Sequence, residues 1–579
     1  MTGAILRPMR RPPPIVVLHA VLATLAAIEL FRATQQSWLA DVIADADART
    51  VLQLALPIAS AAASALSIVL GVRSGLVRRA ALSDAGGIAV AFAALGLLGA
   101  GAETREVVGL LFVLVLVARL LPSALLVVRG VARSAIAVFV LSLLFYAPLA
   151  LWSGAATAAQ GDQPHYLLAA DALARGTADL APEYADPLRF QRLALTPLST
   201  ADLDTHVVAS DRGGRLVQGY ALSALIAPGW AIAGRAGALL VMALIAALLS
   251  AQLFLFCIEI EGDHPGSRIA WALAASLAPV STLATVIYPN VVGALALLCC
   301  YRWLFTAPVR RPVLAGLAGG VLLLLTPRDA IGLVALVPFA FSSGRAVAWR
   351  FIGVLAVSAV AIAALDAVLY GVAVPYAGYL AGLDAAQRLD GVPSLRPRAD
   401  IGLGGTLFDR AFGLAGSAPW VFVGLAGIGP ALRRRAAFMP ALAAIGLSLA
   451  ALSIYRLWEG GWAPANRYFV EVLPLWTPFI ALALRRPGPV LAVVAAALAG
   501  LGAAATFLFV AIPNLEFNTV DSAQVIVALD RILILDPLGL LPSFEDASAI
   551  GPALLRSVPL VAAAAALVIV GVRRAREAV

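Results

Sequence analysis

Residues 135–168 read AIAVFVLSLLFYAPLALWSGAATAAQGDQPHYLL, an apolar run that leads into the turn Gly161-Asp162-Gln163. The run 135–152 approaches the roughly 20 apolar residues that a membrane-spanning helix needs. A long polar segment follows it. A carboxylate, Asp162, is therefore predicted to stand where the chain leaves the membrane.

A short helix is predicted directly after Asp162. Pro164 suits a first helical turn and Gly176 suits a helix end, which predicts a helix over residues 164–175. Its apolar residues recur at helical spacing, so the helix is expected to lie flat on the membrane surface. Asp162 has two interpretations at this stage: a functional carboxylate, or a cap for this helix.

The composition is that of a membrane protein. Hydrophobic residues make up 62% of the chain and charged residues only 13%, against about 25% charged in an ordinary soluble chain. We therefore expect the lipid bilayer as a partner, and the net charge of +8 is not a nucleic-acid signal. The chain has no lysine, so any cation that holds a phosphate must be an arginine or a protonated histidine.

Sixteen apolar runs predict an all-α polytopic membrane protein with about sixteen transmembrane helices. The runs cover about 15–31, 51–72, 88–102, 107–128, 135–152, 236–260, 269–287, 291–305, 313–325, 330–341, 351–372, 419–432, 438–455, 468–484, 490–512 and 554–572. The short apolar segment 219–234 is interpreted as a re-entrant or surface helix.

The arginines predict the orientation. With both termini inside, every compact arginine cluster falls on the inner face, as the positive-inside rule requires. These clusters are 73–79, 129–133, 261–268, 310–311, 345–350, 433–435, 485–486 and 573–576. The sequence thus predicts a multi-pass protein of the bacterial cytoplasmic (inner) membrane, N-in and C-in, with long polar loops on the extracytoplasmic face.

Some charged residues stand within the predicted spans or at their edges. Glu29 and Arg32 are three residues apart and are expected to pair with each other. Arg119 and Asp366 lie deeper, where an ionisable residue is a functional candidate by default. A purely structural role remains the alternative for both.

Two further outer patches carry polar and aromatic residues. Residues 407–414 read LFDRAFGL and contain Asp409 and Arg410. Residues 458–468 read WEGGWAPANRY, a tight loop. Its tryptophans fit either an interfacial aromatic belt or a sugar-binding loop in which glycines let backbone approach a ligand. Tyr288-Pro289-Asn290 and Thr326-Pro327-Arg328-Asp329 stand at other outer span junctions.

These motifs resemble the GT-C superfamily of integral membrane glycosyltransferases. The Gly-Asp-x-Pro-x-Tyr-Leu setting of Asp162 is similar to the first external loop of that group, and Phe-Asp-Arg-x-Phe-Gly-Leu and Gly-Gly-Trp-x-Pro-x-x-Arg-Tyr resemble its later motifs. The resemblance covers a core of residues 135–486 with external loops 154–235, 373–416 and 456–467. Residues 1–134 form an N-terminal four-span addition, and residues 487–579 form C-terminal spans with external loop 513–550.

The chain departs from the superfamily at two positions. Such enzymes often have Asp-Glu where this chain has Asp162-Gln163, and Tyr-Pro-Glu where it has Tyr288-Pro289-Asn290. With these carboxylates absent, no cofactor is assigned, and a divalent metal has no support in the motifs.

The resemblance implies transfer of a sugar from a polyprenyl-phosphate-linked donor to an envelope glycan, lipid or protein acceptor on the extracytoplasmic face. Asp162 is the expected general base, and no general acid is needed because phosphate is a good leaving group. The expected substrate-binding residues are Gln163, His165, Tyr166, Asn290, Arg328, Asp409, Arg410, Glu459, Trp462, Arg467 and Tyr468.

Two alternatives stay open. Arg467 needs a local anionic partner, which is either Glu459 or the donor phosphate. The whole chain could instead be a polytopic transporter or lipid-linked glycan flippase, although such proteins usually place their site near the membrane midplane between repeated halves. The three outer loops and the absence of a detectable repeat favour the enzyme.

Overall fold

The computed structural model describes residues 134–185, 206–210, 213–381, 399–455, 458–461, 463–518, 526–527, 537–544 and 550–577. All of them belong to one compact unit, Ser134–Val527 with Pro537–Val579. The predicted first four spans, with Glu29, Arg32 and Arg119, lie outside the described residues. Trp462 lies outside them too, and the predicted domain boundary near residue 134 stays a prediction.

The described chain is mostly helical. The helices are α1 Ala135–Ala156, α2 Gln163–Ala174, α3 Ala181–Ala185, α4 Ala221–Glu261, α5 Pro265–Ser276, α6 Val280–Leu283, α7 Asn290–Tyr301, α8 Pro312–Leu325, α9 Asp329–Ala340, α10 Arg345–Tyr370, α11 Ala377–Ala381, α12 Ala399–Phe408, α13 Leu414–Ser417, α14 Ile428–Arg433, α15 Arg435–Ile454, α16 Leu473–Ala483, α17 Pro489–Ala511, α18 Pro537–Leu540 and α19 Ile550–Glu577. A π-helical turn, Arg302–Thr306, continues α7, and 3₁₀ segments cover Phe341–Ser343, Pro419–Gly427 and Pro513–Glu516. Two antiparallel ribbons pair β1 Val207–Ser210 with β2 Gly213–Leu216, and β3 Ala463–Pro464 with β4 Phe517–Asn518.

Six helices of the described part are long and apolar enough to cross a membrane: α1, α4, α10, α15, α17 and most of α19. Shorter apolar helices occupy 290–306, 312–325, 329–343 and 473–483. The chain is therefore a helical membrane protein, as the composition predicts. The total of about sixteen spans stays a prediction.

Two predicted runs differ from single helices. The run 269–287 is divided between α5 and α6, because Pro279 disfavours helical backbone at the residue before it. The backbone groups of Ala278 have no partner within a helix and form hydrogen bonds with side chains instead. Its N–H donates to Thr506 Oγ1 at 2.8 Å, and its carbonyl accepts from Trp420 Nε1 at 2.9 Å. The run 419–432 consists of the 3₁₀ segment followed by α14.

Helix α4 contains a reversal of the chain direction. Its backbone is non-helical at Ala233 and Gly234, where Gly234 has φ 56° and ψ −140°. A Cβ on Gly237 would lie 1.9 Å from the carbonyl oxygen of Gly229, although residues eight apart in a straight helix are separated by about 12 Å. The first part of α4 therefore folds back on the second, which agrees with a separate short helix over the predicted segment 219–234.

Helix α2 is confirmed, but its surroundings differ from the prediction. Nine of its twelve residues are buried. It packs against α4, and Ser223 Oγ donates to the carbonyl oxygen of Tyr166 at 3.0 Å. The helix is enclosed by protein and positions Asp162 at its first turn, so it does not present the exposed face that a helix resting on the membrane surface alone would have; its orientation to the membrane stays a prediction.

Polar contacts gather at two ends of the helix bundle. At one end, Asp162 contacts Tyr288, and Glu471 contacts Asn290 and Arg328; we call it the Asp162 end. At the other, called the Glu261 end, two ion pairs join neighbouring helices: Glu259 with Arg302, and Glu261 with Arg434. Helices α7, α8, α9 and α10 run alternately between these two ends. Four of the predicted outer segments, those of Asp162, Tyr288, Arg328 and Arg467, therefore meet in space.

Candidate active site

The carboxylate of Asp162 forms an ion pair with an arginine far away in sequence. Asp162 Oδ2 lies 3.0 Å from Arg467 Nη1, and the two side chains are only 25% and 12% exposed. Asp162 has helical backbone angles at the start of α2, and its side chain makes no capping hydrogen bond. The helix-cap interpretation is therefore wrong, because the carboxylate is directed at Arg467 instead of the amides of α2.

Arg467 is held by the loop from which it comes. The ion pair that the structure records for it is with Asp162, whereas the sequence suggests Glu459 as a protein partner. Gly460 has φ 91°, and a Cβ there would lie 2.6 Å from Arg467 Nε. A glycine is required because both the backbone angle and the space exclude a side chain. The Gly-Gly pair thus lets the loop close over the guanidinium group.

Two tyrosines complete the surroundings of this ion pair. The Asp162 amide donates to Tyr288 Oη at 3.2 Å, and Arg467 Nη2 donates to Tyr468 Oη at 2.9 Å. The Arg467 Cζ atom lies 5.3 Å from the ring centre of Tyr288 and 4.8 Å from that of Tyr468. Arg467 is thereby held by one carboxylate, one hydroxyl and two aromatic rings.

A second arginine shares the ring of Tyr468. The Arg328 Cζ atom lies 3.6 Å from the ring centre, which is within the range of a cation–π contact. Its Nε is 3.7 Å from Glu471 Oε1, too long for a hydrogen bond, and is buried with no acceptor among the described residues. Two guanidinium groups therefore flank one tyrosine, and the Nε–H of Arg328 has no acceptor in the part of the chain that the structure describes.

Behind Arg328 lies a pair of buried carboxyl groups. Asp329 and Glu471 are 2% and 6% exposed, and their carboxyl groups are within hydrogen-bonding reach of each other. Asn290 Nδ2 donates to Glu471 Oε1 at 2.7 Å, and Thr326 Oγ1 donates to Asp329 Oδ2 at 3.0 Å. Asn290, predicted to bind substrate directly, thus positions Glu471.

The sequence prediction omitted Glu471. It stands inside the apolar run 468–484, and an ionisable residue in such a run is a functional candidate by default. The signal was therefore present in the sequence.

Two stacked imidazoles lie beside the Asp162 carboxylate. The rings of His165 and His206 are 3.8 Å apart and nearly parallel, and His165 Nδ1 is 2.5 Å from Tyr184 Oη. Burial, and secondarily His206, lowers the pKa of His165 to about 3. His165 is therefore neutral at physiological pH, whereas Arg328 and Arg467 are permanent cations of this cluster.

Asp162 remains ionised in spite of its partial burial. Burial alone would raise its pKa, but the Arg467 guanidinium outweighs that effect and holds the pKa below its usual value. The group is thus ready to accept a hydrogen bond or a proton at neutral pH. Its basicity is reduced as long as Arg467 stays paired with it.

Gln163 and Tyr166 lie next to Asp162 in α2 and are both buried. Gln163 Oε1 accepts from the Ile287 amide at 3.1 Å, and its Nε2 donates to the Gln160 carbonyl at 3.2 Å. The Gln163 side chain thus connects α2 to the Tyr288 turn. The Tyr166 phenol is close enough to Asp162 and Tyr288 to interact with both electrostatically. This is expected of a residue that lines the site.

Asp409 is structural, in contrast to its predicted role in binding substrate. Its carboxylate is fully buried and accepts from the amides of Ala411 and Phe412 at 2.7 and 2.9 Å, and from the Phe544 amide at 2.9 Å. The Arg410 amide donates to the Pro542 carbonyl at 2.9 Å. This motif therefore binds the chain near Phe544, and no contact of its carboxylate with the Asp162 cluster is recorded in the described part.

The Trp458 loop approaches the site through another tyrosine. The Glu459 carboxylate lies close enough to Tyr455 to interact with its phenol electrostatically. The ring centre of Tyr455 is 6.0 Å from that of Tyr468. Trp458 packs on Gly405 and edge-on against Phe412, with ring centres 6.3 Å apart. Trp458 is thus a packing residue and not an exposed sugar platform.

A cleft of about 120 Å³ lies between α4, α8 and α10. Its lining includes Leu325, Asp366, Tyr370 and Tyr379. Tyr379 also acts electrostatically on Tyr166, so the cleft reaches toward the Asp162 end. Asp366 Oδ2 accepts from the Ala377 amide at 3.2 Å, which gives this intramembrane carboxylate a structural contact.

Neither a metal site nor a known relative identifies the cluster. The described residues hold no group of three or more histidine, cysteine, aspartate or glutamate side chains that could bind a metal ion. No protein-family model matches the chain, and no curated protein or solved structure matches it either. What the site can do must therefore be argued from its own chemistry.

Proposed function

We propose that the protein is a GT-C-like integral membrane glycosyltransferase. It moves a sugar from a polyprenyl-phosphate donor to an envelope glycan, lipid or protein acceptor, with Asp162 as the general base. The observation that carries this proposal is the Asp162–Arg467 ion pair with Arg328 beside it, on the shared ring of Tyr468. A carboxylate and two arginines with spare donors are what phosphate-leaving sugar transfer requires.

The reaction assigns each of these groups a task. The acceptor oxygen forms a bond to the anomeric carbon, the bond from that carbon to the phosphate oxygen breaks, and the electron pair stays on the phosphate. Asp162 accepts the hydroxyl proton, a contribution of roughly 10²–10⁴-fold. Arg328 and Arg467 bind the phosphate oxygens, since guanidinium groups hold phosphate through paired hydrogen bonds. The sugar passes through an oxocarbenium-like state.

Donor binding also changes the basicity of Asp162. A phosphate that attracts Arg467 weakens the hold of that arginine on the carboxylate. Because Arg467 is what lowers the pKa of Asp162 against the effect of burial, the carboxylate becomes a stronger base once the donor is bound. The base is therefore weak in the free protein and strong in the complex.

The cleft beside Tyr379 is the proposed entry for the lipid portion of the donor, and its volume of about 120 Å³ holds only the part of the chain next to the phosphate. Its walls are largely leucine, isoleucine and tyrosine, and Leu324 and Leu365 at its rim are 36% and 45% exposed. In a bilayer such side chains face acyl chains, so a polyprenyl tail can enter from the side. Its phosphate then lies toward Arg328.

The proposed setting is the bacterial cytoplasmic membrane, with about sixteen spans, both termini inside and the Asp162 end on the extracytoplasmic face. The distribution of arginines supports this orientation, because the clusters at 433–435 and 485–486 lie at the Glu261 end.

A flippase for lipid-linked glycans is the second candidate. It is favoured by one observation, the ionisable residues Arg328, Asp329 and Glu471 between apolar helices, a feature also found in transport pathways. A flippase moves the intact lipid and breaks no glycosidic bond.

The experiment reconstitutes the purified protein in liposomes with a panel of radiolabelled polyprenyl-phosphate sugars. Conversion of the label to free polyprenyl phosphate plus glycosylated acceptor, or to released sugar, supports the transferase. Movement of intact lipid between leaflets without loss of sugar supports the flippase. Neither outcome with any donor, in a folded protein, contradicts both proposals.

A further inference from the structure

The buried pair Asp329–Glu471 poses a hydrogen-bonding problem. Two carboxyl groups within reach of each other cannot both be ionised and hydrogen-bonded, because an ionised carboxylate only accepts. Asp329 Oδ1 is buried and receives no hydrogen bond from the described N–H and hydroxyl donors. A proton held between the two groups supplies the missing donor.

The surroundings of the pair allow one negative charge but not two. Arg328 approaches Glu471 Oε1 at 3.7 Å, and the remaining neighbours are neutral donors and phenols. The polar groups that face the pair are Arg328, Asn290, Thr326, Tyr376, Tyr379, Tyr468 and, through Arg328, Arg467. A second buried negative charge would have no cation except Arg328 to balance it.

We propose that Asp329 and Glu471 share one proton, and that this proton controls whether Arg328 is free to bind the donor phosphate. With the proton present, the pair carries a single charge and leaves the donors of Arg328 to an incoming anion. When the proton is lost, Glu471 draws Arg328 into a close ion pair. Asp329 and Glu471 are thus positioning residues, and anion binding at Arg328 is coupled to proton uptake.

This inference rests on the proposed function in one respect, the phosphate at Arg328. The shared proton itself does not, so it is tested on the wild-type protein without ligand. Infrared spectra in H₂O and D₂O should show a protonated carboxyl group at neutral pH that shifts on deuteration. Glu516 is another buried acid, and burial raises its pKa, so the Glu516→Gln variant identifies its separate contribution.

Loss of one component of the carboxyl band in Glu471→Gln, together with the persistence of that component in Glu516→Gln, supports the assignment. If the carboxyl band of Glu471→Gln is the same as that of the wild type, the shared proton is overturned. This result would leave the glycosyltransferase proposal intact.

The coupling is tested by calorimetry with farnesyl phosphate, a short polyprenyl phosphate, in buffers of different ionisation enthalpy. At pH values high enough to remove the shared proton from the free protein, the wild type should take up more protons on binding than Glu471→Gln, and its affinity should fall with rising pH more steeply. The amide in that variant can donate to Asp329 permanently, so it acts as the protonated state. The ligand's own second ionisation, near pH 6, is the same for both proteins.

Equal proton uptake and equal pH profiles in the two proteins would overturn the coupling, even if binding is tight. No binding of farnesyl phosphate at any pH to either folded protein would instead overturn the phosphate site at Arg328, and with it the proposed function. Thermal unfolding of each variant shows whether a loss reflects misfolding.

Discussion

Arginines at the two ends of the bundle differ in how completely their donors are used. At the Glu261 end, Arg302 engages Glu259 through Nε and Nη2 and Gln252 through Nη1. At the Asp162 end, Arg467 Nε and Arg328 Nε are buried without an acceptor among the described residues. A buried unpaired donor costs about 1–3 kcal/mol, so Arg328 and Arg467 each carry a cost that Arg302, whose Nε, Nη1 and Nη2 all have acceptors, does not.

The largest expected effect concerns which side of the membrane each end faces. The native cysteines in the described part, Cys257, Cys299 and Cys300, are buried, so they give little background. With an impermeant thiol reagent on intact cells, Ala181→Cys, at the exposed first residue of α3 near the Asp162 end, should label fully. Ala346→Cys, at the Glu261 end, should label only after permeabilisation. The reverse pattern would contradict the proposed orientation.

The next effect concerns two aspartates that sequence motifs single out equally. Asp162→Asn keeps the shape of the side chain but cannot accept the proton, so transfer should fall by roughly 10²–10⁴-fold. Asp409→Asn leaves one acceptor for three amides and places an NH₂ group near them, so it should cost about 1–3 kcal/mol of stability. Its donor KM should stay unchanged once the protein is folded.

Turnover and thermal unfolding of both variants separate the two roles, and Asp263→Asn serves as the control. Asp263 pairs with Arg268 on the opposite surface, so its substitution should change neither quantity by much. A catalytic loss in Asp409→Asn without loss of stability would return that residue to the site.

A smaller effect is expected when one arginine at each end of the helix bundle is replaced by lysine, which cannot donate two parallel hydrogen bonds as a guanidinium group does. Arg467→Lys keeps the charge but loses the simultaneous contact with Asp162 and the phosphate, so the donor KM should rise about tenfold, equivalent to about 1.4 kcal/mol. Arg302→Lys loses the contacts to Glu259 and Gln252, so it should lower stability and leave the donor KM unchanged. Equal KM values for Arg467→Lys and wild type would remove Arg467 from phosphate binding.

The sequence identified individual residues of the site more reliably than it identified which of them contact each other. Asp162 and Arg467 were singled out from separate loops, but no sequence pattern pairs residues 305 positions apart. The pairing depends on α2 being buried, which its weakly amphipathic pattern did not indicate. Arg467 and Arg328 meet only through the ring of Tyr468, a contact that requires the fold.

Two residues that the sequence prediction misassigned or omitted, Asp409 and Glu471, lie in recognisable sequence patterns. Asp409 is followed by the amides to which it binds, two and three residues on, which is the geometry of a turn-forming aspartate. Glu471 is a charge within an apolar run. His206 lies in the polar loop, where nothing in the local pattern distinguishes a residue that stacks on His165 from one exposed to solvent.

The smallest and most specific effect is a displacement of the acid limb of the pH profile. Asp162 must be ionised to accept a proton, and its pKa is held below the usual value because Arg467 outweighs the effect of burial. Wild-type kcat/KM should therefore lose little activity through this group until the pH falls below the ordinary aspartate range, near 3.9. In Arg467→Gln, burial becomes the dominant influence, so the pKa rises. A group with a raised pKa is protonated earlier as the pH falls, and the acid limb must move to higher pH.

Arg175→Gln is the matched control, since Arg175 pairs with Asp171 and Glu183. Measured as kcat/KM at donor concentrations well below KM, which reports the free enzyme, an acid limb that stays in place in Arg467→Gln would mean that Asp162 is not the titrating base.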